Sequence, residues 1–387
     1  MFTRISLLLQ KNRRSKIIFL AFCFSLLSFF PVFRSFYYGN GIGTYKNHIA
    51  WLENRSDYYN PWQYRVLCPM IVEAMKWTYD HTIDKIYPVE EKVHISIHST
   101  TGSSEATHQL MEITKTPGAL KYMIVFIAFR FLENVLVYAL TYCLWSYFIK
   151  NDWLIFFGLL FLSLGIGNSV SVADLTFNTY IDNILYLLTA CIVVYRYNPW
   201  WIIPITIIGA FNRETSIMIP FLFFISQMDF SSLQWRKPRL SSIRFPPSTT
   251  WIITAISYVL FFAIFVGIRR YYGYRTAQYW KVPPGLPMLK LNLLSADGIK
   301  AYFEMIGTFS VLPFIILYRF RRFPALLRTW FIAIVPVWFL VHWLTVVTYQ
   351  TRLFLVPTIL IFIPMMLWLI ENYTRNNQLM PAPAPVK

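Results

Sequence analysis

Two charged residues lie side by side within strongly apolar sequence. Arg213 and Glu214 occur in the segment Gly209-Ala-Phe-Asn-Arg-Glu-Thr-Ser216, with an apolar run on each side of it. Because an ionised side chain in hydrocarbon costs roughly 2.5–3.5 kcal/mol on insertion scales, such residues usually face a polar cavity. In a functional interpretation, Arg213 binds a lipid-linked phosphate, and Glu214 orients the Arg213 side chain. In a structural interpretation, Asn212 caps the next helix and Glu214 lies in its first turn.

A second candidate phosphate ligand is Arg65, which lies in the segment Tyr59-Asn-Pro-Trp-Gln-Tyr-Arg-Val-Leu-Cys-Pro69. A guanidinium group can bind a phosphate through two parallel hydrogen bonds. Tyr64 and Trp62 would form an apolar wall beside that phosphate. The alternative is an aromatic belt at the membrane interface, in which the arginine extends its charge into water.

Further basic residues occur near the ends of apolar runs. Arg352 opens the last run and either adds a third positive group to an outward cavity or anchors the chain at the interface. The loop 269–300 contains Arg269 and Arg275 among six Lys and Arg residues, against a single acid. Positive charge on the translocated side departs from the usual orientation rule. Either the loop binds an anion, which makes Arg269 and Arg275 substrate-binding candidates, or long loops tolerate the charge.

Three carboxylates are candidate catalytic groups, namely Asp57, Asp182 and Glu214. Asp182 follows Asp174 by eight residues, close to two helical turns, at the outer end of a predicted span. It could act as a base, bind a divalent ion or cap the span. Because hard cations need several oxygen ligands, we expect no resident metal or cofactor, and a divalent cation at Asp182 stays open as the alternative.

Another polar pair interrupts an apolar run. Arg130 and Glu133 are three residues apart, so on a helix they lie on one face and can form an ion pair. A structural role inside the helical bundle is one interpretation, and lining of a transport pathway is the other.

Apolar runs of about the 20 residues needed to cross a bilayer dominate the chain. They lie near 17–36, 119–148, 153–171, 182–197, 251–268, 301–318, 329–347 and 353–371. The region 199–227 holds two shorter runs, in which Pro204 and Pro220 fit bent or interrupted helices. If both shorter runs cross, the sequence predicts an all-α polytopic membrane protein of about ten transmembrane helices.

The basic residues between these runs predict orientation and domains. They cluster before the first run, in 228–250 and between 318 and 329, which places those segments and both termini in the cytoplasm. The first run exceeds a signal-peptide core, and no small-x-small cleavage site follows, so we expect a retained span. The predicted domains are a basic cytoplasmic N-terminus (1–16), a first transmembrane helix (17–36), a non-cytoplasmic loop domain with an amphipathic helix near 66–79 (37–118), a multi-span membrane domain (119–371) and a cytoplasmic proline-rich tail (372–387).

Composition supports this class. Of the 387 residues, 56% are hydrophobic and 14% are charged, whereas soluble domains carry about 25% charged residues. The net charge of +17 is compatible with nucleic-acid binding, but many Lys and Arg residues flank apolar spans, so we expect no nucleic-acid partner. We expect a multi-pass protein of the bacterial inner (cell) membrane, in contact with membrane lipid.

The layout and two short patterns carry a resemblance. A basic N-terminus, a first span, one long outward loop and many later spans with arginines near the outer face resemble the C-type (GT-C) membrane glycosyltransferases. The segments Gln63-Tyr-Arg-Val-Leu-Cys-Pro69 and Phe211-Asn-Arg-Glu-Thr215 also resemble stretches of bacterial polytopic proteins of this layout. The resemblance implies sugar transfer from a polyprenyl-phosphate carrier, a lipid-linked sugar donor, to a glycan or lipid acceptor on the non-cytoplasmic side.

In that class a catalytic acid follows the first span closely, whereas residues 37–52 contain no Asp or Glu here. The resemblance therefore implies a base from another position, such as Asp57 or Asp182. Arg65, Arg213 and Arg352 would hold the donor phosphate. Two other functions stay open from the sequence: a transporter or flippase for an anionic or lipid-linked substrate, and a non-catalytic subunit of a membrane complex.

Overall fold

The computed structural model describes residues 13–55, 61–93, 105–170, 175–228, 245–273 and 281–378. Within these ranges the secondary structure is helical, in agreement with the all-α prediction. The longer helices are α1 (Arg13–Tyr37), α2 (Asn40–Leu52), α3 (Leu67–His81), α4 (Glu105–Thr114), α5 (Ala119–Phe148), α6 (Asp152–Asn168), α7 (Phe177–Tyr195), α8 (Ile202–Asn212), α9 (Met218–Ser226), α10 (Ser248–Tyr272), α11 (Leu286–Leu294), α12 (Ala296–Phe309), α13 (Leu312–Tyr318), α14 (Ala325–Thr345) and α15 (Ile363–Gln378).

Six helical segments of the described chain are long and apolar enough to cross a bilayer. Five are α1, α5, α7, α10 and α14, and the sixth is the run Thr351–Arg375, which contains most of α15. The pair α12 and α13 would form a seventh span if its 65° bend lies within the membrane. In the part that the structure describes, the chain is thus an all-α membrane protein, whereas a total of about ten crossings stays a prediction.

The helices α5 and α7 form the centre of the bundle. Trp145 on α5 and Tyr186 on α7 are fully buried, and both lie in one apolar core that also includes the last span. Small residues allow close helix approach, as expected where lipid tails supply no hydrophobic drive between helices. At Gly167 of α6, for example, an added Cβ would collide with the ring of Phe30 on α1.

The segment after α1 folds against the start of α5. Helix α3 covers the stretch for which an amphipathic helix is predicted, and it buries Cys68, Val72 and Tyr79 while Met70 and Trp77 are exposed. These buried residues pack in a second apolar cluster with the first turns of α5 and the start of α7. The segment therefore brings the Arg65 region next to the membrane helices.

The predicted interruption between the two short runs is present. Helix α8 ends at Asn212, Arg213 is extended with φ −163°, and a 3₁₀ turn at Glu214–Ile217 leads into α9. The bend is tight, because a Cβ added at Gly209 would lie 2.6 Å from the Cβ of Ser216. The predicted Asn212 cap is wrong: its amide nitrogen instead donates to the Asn178 carbonyl across to α7, at 2.8 Å.

A buried asparagine joins α11 to the connection between α14 and the last span. The Asn292 amide nitrogen donates to the carbonyls of Trp343 and Val346, at 2.9 and 2.8 Å. Its side-chain oxygen accepts from the backbone N–H of Thr348, at 3.1 Å. Because the backbone after α14 leaves the helix here, Asn292 supplies hydrogen bonds that the helix no longer provides.

Candidate functional site

One cavity of about 440 Å³ brings together segments that are far apart in the chain. Its charged lining consists of four arginines and one glutamate, which leaves an excess of three positive charges. These residues are Arg65, Arg213, Glu214, Arg269 and Arg352. They come from the turn before α3, the bend between α8 and α9, the end of α10 and the start of the last span.

Glu214 joins two of the arginines. Its Oε2 accepts from Nη2 and Nε of Arg65, at 2.9 and 3.2 Å, and its Oε1 accepts from Nη2 of Arg269, at 3.2 Å. Both carboxylate oxygens therefore take part in ion pairs that connect the turn before α3 to α10. The expected pairing of Glu214 with its neighbour Arg213 is replaced by these long-range pairs.

Arg213 and Arg352 are more deeply buried, at 8% and 7% exposed. Arg213 donates from Nη1 to the hydroxyl of Thr179 on α7, at 3.2 Å. Arg352 donates from Nε and Nη2 to the side-chain oxygen of Gln350, at 3.3 and 2.8 Å. An anion in the cavity would form charge-assisted hydrogen bonds with these guanidinium groups in addition to the contacts above.

Asp182 lies behind the cavity. It is 1% exposed, and its two carboxylate oxygens accept from the hydroxyls of Thr215 and Ser216 in the bend after Arg213. Tyr186, one turn further along α7, donates to the Thr215 carbonyl at 2.6 Å. Asp182 therefore holds the bend that presents Arg213 and Glu214.

Tyr64 supports the site from outside its lining. Its hydroxyl donates to the Gly273 carbonyl at 2.9 Å, and the guanidinium carbon of Arg269 lies 4.6 Å from its ring centroid. Trp62 does line the cavity, and the guanidinium carbon of Arg65 lies 5.6 Å from its ring centroid. The two aromatic residues predicted beside Arg65 thus each contact an arginine of the site.

Part of the cavity lining forms an apolar wall, and much of that wall comes from α14. Val337, Trp338 and Val341 line it, together with Pro284 and Val346. Val337 and Val341 are also exposed at the surface of α14, a candidate membrane span. Val337 and Val341 therefore combine a place in the cavity lining with an exposed position on a candidate membrane span.

The cavity also contains a histidine that sequence reasoning missed. His342 on α14 lines the cavity and is 3% exposed. A single histidine within an apolar span was the available signal, since ionisable residues in spans usually mark functional positions. Two candidates, Asp57 and Arg275, and also Asp174, lie outside the described residues.

The pair Arg130 and Glu133 is formed, at 3.4 Å, and both side chains are buried in the bundle. The guanidinium of Arg130 also covers the ring of Tyr180 on α7. Neither residue lines the arginine cavity. Within the described ranges, no group of three or more His, Cys, Asp or Glu side chains is placed to hold a metal ion.

Comparison of the chain with models of protein families, with curated proteins and with solved structures finds no match.

Proposed function

We propose that this protein is a glycosyltransferase-like membrane enzyme that moves a sugar from a polyprenyl-phosphate carrier to an acceptor on the non-cytoplasmic face. The observation that carries the proposal is a cavity whose lining combines four arginines with apolar side chains from α14. A lipid-linked phosphate has the matching chemistry, because it joins an anion to a hydrocarbon chain. Phosphate is one of the groups that the paired N–H donors of a guanidinium bind with two parallel hydrogen bonds.

The arrangement of charges supports sugar transfer in particular. When the bond between sugar and phosphate breaks, negative charge increases on the leaving lipid phosphate. Fixed guanidinium groups next to that phosphate stabilise the developing charge without rearranging, and this form of stabilisation is strong in a site shielded from water. Arg213 and Arg352 are the most deeply buried arginines of the cavity lining, which makes them the principal candidates for this role.

The apolar wall supports a lipid-linked donor rather than a soluble one. Val337 and Val341 line the cavity and are also exposed on α14. A prenyl chain can extend over these side chains from the phosphate into the bilayer without exposing hydrocarbon to water. A nucleotide sugar would leave this apolar surface uncovered.

The experiment is mass spectrometry of lipid-linked and surface glycans from cells with the gene, without it, and with single variants. We expect that deletion and Arg213→Ala both remove one sugar from an otherwise intact glycan, at normal protein abundance. Arg321→Ala is the matched control, because Arg321 is exposed and lies outside the cavity lining. Its glycans should equal those of the wild type.

Two other results would reject the transferase. Accumulation of a complete lipid-linked precursor would indicate a flippase or transporter instead. An unchanged glycan profile in the deletion strain would contradict any role in glycan assembly.

A further inference from the structure

The ring of His342 is held in one orientation on the cavity wall. It stacks on Trp338, one turn earlier on α14, with ring centroids 5.2 Å apart and an interplanar angle of 27°. The Trp338 indole N–H donates to the Leu353 carbonyl at 2.8 Å, and its ring packs edge-on against Tyr186 of α7. The histidine thus rests on an aromatic pair that is itself fixed to two other spans.

The hydrogen bonds of His342 define its tautomer. Nδ1 lies 2.7 Å from the Trp338 carbonyl oxygen. Because a carbonyl oxygen only accepts, Nδ1 carries the proton, and the neutral ring then has its lone pair on Nε2. Among the residues that the structure describes, none hydrogen-bonds to Nε2, although the side chain is 97% buried (3% exposed).

Sugar transfer requires a group that takes a proton from the acceptor hydroxyl, and the described lining offers two proton acceptors of this kind, Glu214 and His342. Both oxygens of Glu214 are engaged by Arg65 and Arg269. Nε2 of His342 keeps its lone pair for a ligand. The need for such a base rests on the proposed function.

We propose that His342 is the general base of the transfer and binds the acceptor hydroxyl through Nε2. The hydroxyl oxygen forms a bond to the anomeric carbon of the donor while the bond between that carbon and the phosphate oxygen breaks. The hydroxyl proton moves to Nε2, and the bonding electrons leave with the lipid phosphate, which the arginines hold. The imidazolium then returns its proton to water as the products leave.

The arginines make this base dependent on the donor. An imidazolium in the empty cavity would add a fifth positive group to a lining that already contains four arginines. A bound lipid phosphate offsets that repulsion and so lowers the cost of proton transfer to His342. The hydroxyl is therefore activated when the donor is in place.

The chain contains a matched control for the local structure. His81 on α3 stacks on Trp77, one turn earlier, at 4.3 Å and 28°, and its Nδ1 lies 2.8 Å from the Trp77 carbonyl. The two histidines share the same helical contacts, but His81 is exposed and lies outside the cavity lining. If variants of the two histidines behave differently, the difference therefore results from the position of His342 in the cavity and not from the stacking on tryptophan.

The test compares His342→Asn, His81→Asn and Arg213→Ala by two measurements. The first is the rise in thermal midpoint of the purified protein with a polyprenyl monophosphate, and the second is product formation in cells by glycan mass spectrometry. We expect His342→Asn to keep the midpoint rise and to lose product about 100-fold or more, the usual effect of losing a general base. His81→Asn should keep both, and Arg213→Ala should lose both.

The outcomes separate the two proposals. If Arg213→Ala keeps both phosphate binding and product, the proposed function fails. If Arg213→Ala loses both while His342→Asn forms product at the wild-type rate, the role of His342 alone is wrong. Loss of phosphate binding in His342→Asn would also overturn the role of His342 as the base. If neither His342→Asn nor His342→Gln accumulates in cells, the role is likewise wrong, because His342 would then be structural.

Discussion

At the residue scale, the basic side chains of the cavity lining are arginines. Arginine keeps its charge in buried positions and presents planar donors that match a phosphate, whereas a buried lysine loses its proton more readily. Glu214 accepts hydrogen bonds from two of these guanidinium groups, those of Arg65 and Arg269. We interpret Glu214 as an internal anion that offsets the repulsion between the two guanidinium groups and holds both of them at the cavity.

Replacement of Glu214 by glutamine tests this interpretation. Glu214→Gln removes the shared anion, so Arg65 and Arg269 repel each other and the thermal midpoint of the free protein should fall. A bound polyprenyl phosphate then supplies the missing charge, and its stabilising effect should exceed that in the wild type. Glu112→Gln is the control, because that glutamate pairs with Lys115 at the exposed surface. An equal or smaller ligand effect in Glu214→Gln would contradict the interpretation.

A variant of Asp182 distinguishes a structural role of this carboxylate from a catalytic one. Asp182→Asn keeps the volume but leaves one of the two hydroxyls, Thr215 or Ser216, without an acceptor, at a cost of about 1–3 kcal/mol. We expect a lower thermal midpoint, with product reduced in proportion to folded protein. Asp152→Asn, at an exposed carboxylate, should have little effect. An unchanged midpoint with no product would instead support Asp182 as the base inferred from the family resemblance.

At the element scale, helices α11 and α12 support the connection between α14 and the last span, which carries part of the cavity lining. Asn292 at the end of α11 holds the backbone between α14 and the last span, the connection that leads from His342 to Gln350 and Arg352. The turn from α11 to α12 is tight at Gly298, where an added Cβ would lie 2.5 Å from the Asn292 carbonyl oxygen. A backbone atom cannot move aside as a flexible side chain would.

Two glycines of α12 give a matched pair of substitutions. Gly298→Ala should displace Asn292, lower the amount of folded protein and weaken binding of a polyprenyl phosphate. Gly307→Ala meets no atom within 4 Å and should be neutral or stabilising by up to about 1 kcal/mol, since alanine favours the helix. Thermal unfolding and ligand binding of both variants check this. Equal behaviour would show that the turn does not position the site.

Helices α2, α3 and α5 meet at a buried histidine outside the membrane spans. His48 Nε2 lies 2.6 Å from Glu73 Oε1, which also accepts from the Tyr122 hydroxyl at 2.9 Å. Burial lowers the pKa of His48 below its usual value of 6.5, and this effect outweighs the opposing contact with Glu73. The unfolded chain therefore binds the proton more readily, and stability falls as the pH decreases below about 6.5.

The measurement is the thermal midpoint of the purified protein between about pH 7.5 and 5.5. We expect the midpoint of the wild type to fall more steeply with decreasing pH than that of His48→Asn. His81→Asn, at an exposed histidine, should follow the wild type. A His48 variant that parallels the wild type over this range would show that His48 does not carry the pH dependence.

Much of the helical framework follows from local sequence, and the site does not. The run 119–148 predicts a helix because apolar length alone requires one in a bilayer, and α5 has those bounds. By contrast, Arg65 and Glu214 are separated by 149 positions in the chain. Because Glu214 is adjacent to Arg213, the sequence predicts a contact between these two neighbours instead. Where a helix is interrupted, consecutive side chains point in different directions. Their partners therefore depend on tertiary packing.

At the scale of the whole molecule, the described helices place the Arg130–Glu133 pair and the arginine cavity within one apolar bundle. Arg130 and Glu133 neutralise each other between α5 and α7, where a buried pair is expected to contribute to structural specificity more than to stability. The arginine cavity keeps excess positive charge and an apolar wall. Maintaining that excess in a membrane protein is costly, and the cost is consistent with a site selected for an anionic ligand.

The most direct test of the central claim is equilibrium binding of a polyprenyl monophosphate to the purified protein in lipid nanodiscs, with the corresponding polyprenol as the uncharged comparison. We expect saturable binding of the phosphate and at least ~10-fold weaker binding of the alcohol. Arg213→Ala should weaken phosphate binding by ~10-fold to 100-fold, as expected for the loss of charge-assisted hydrogen bonds. Arg321→Ala should bind like the wild type. Equal binding of phosphate and alcohol, or unchanged phosphate binding in Arg213→Ala, would contradict a lipid-phosphate site in this cavity.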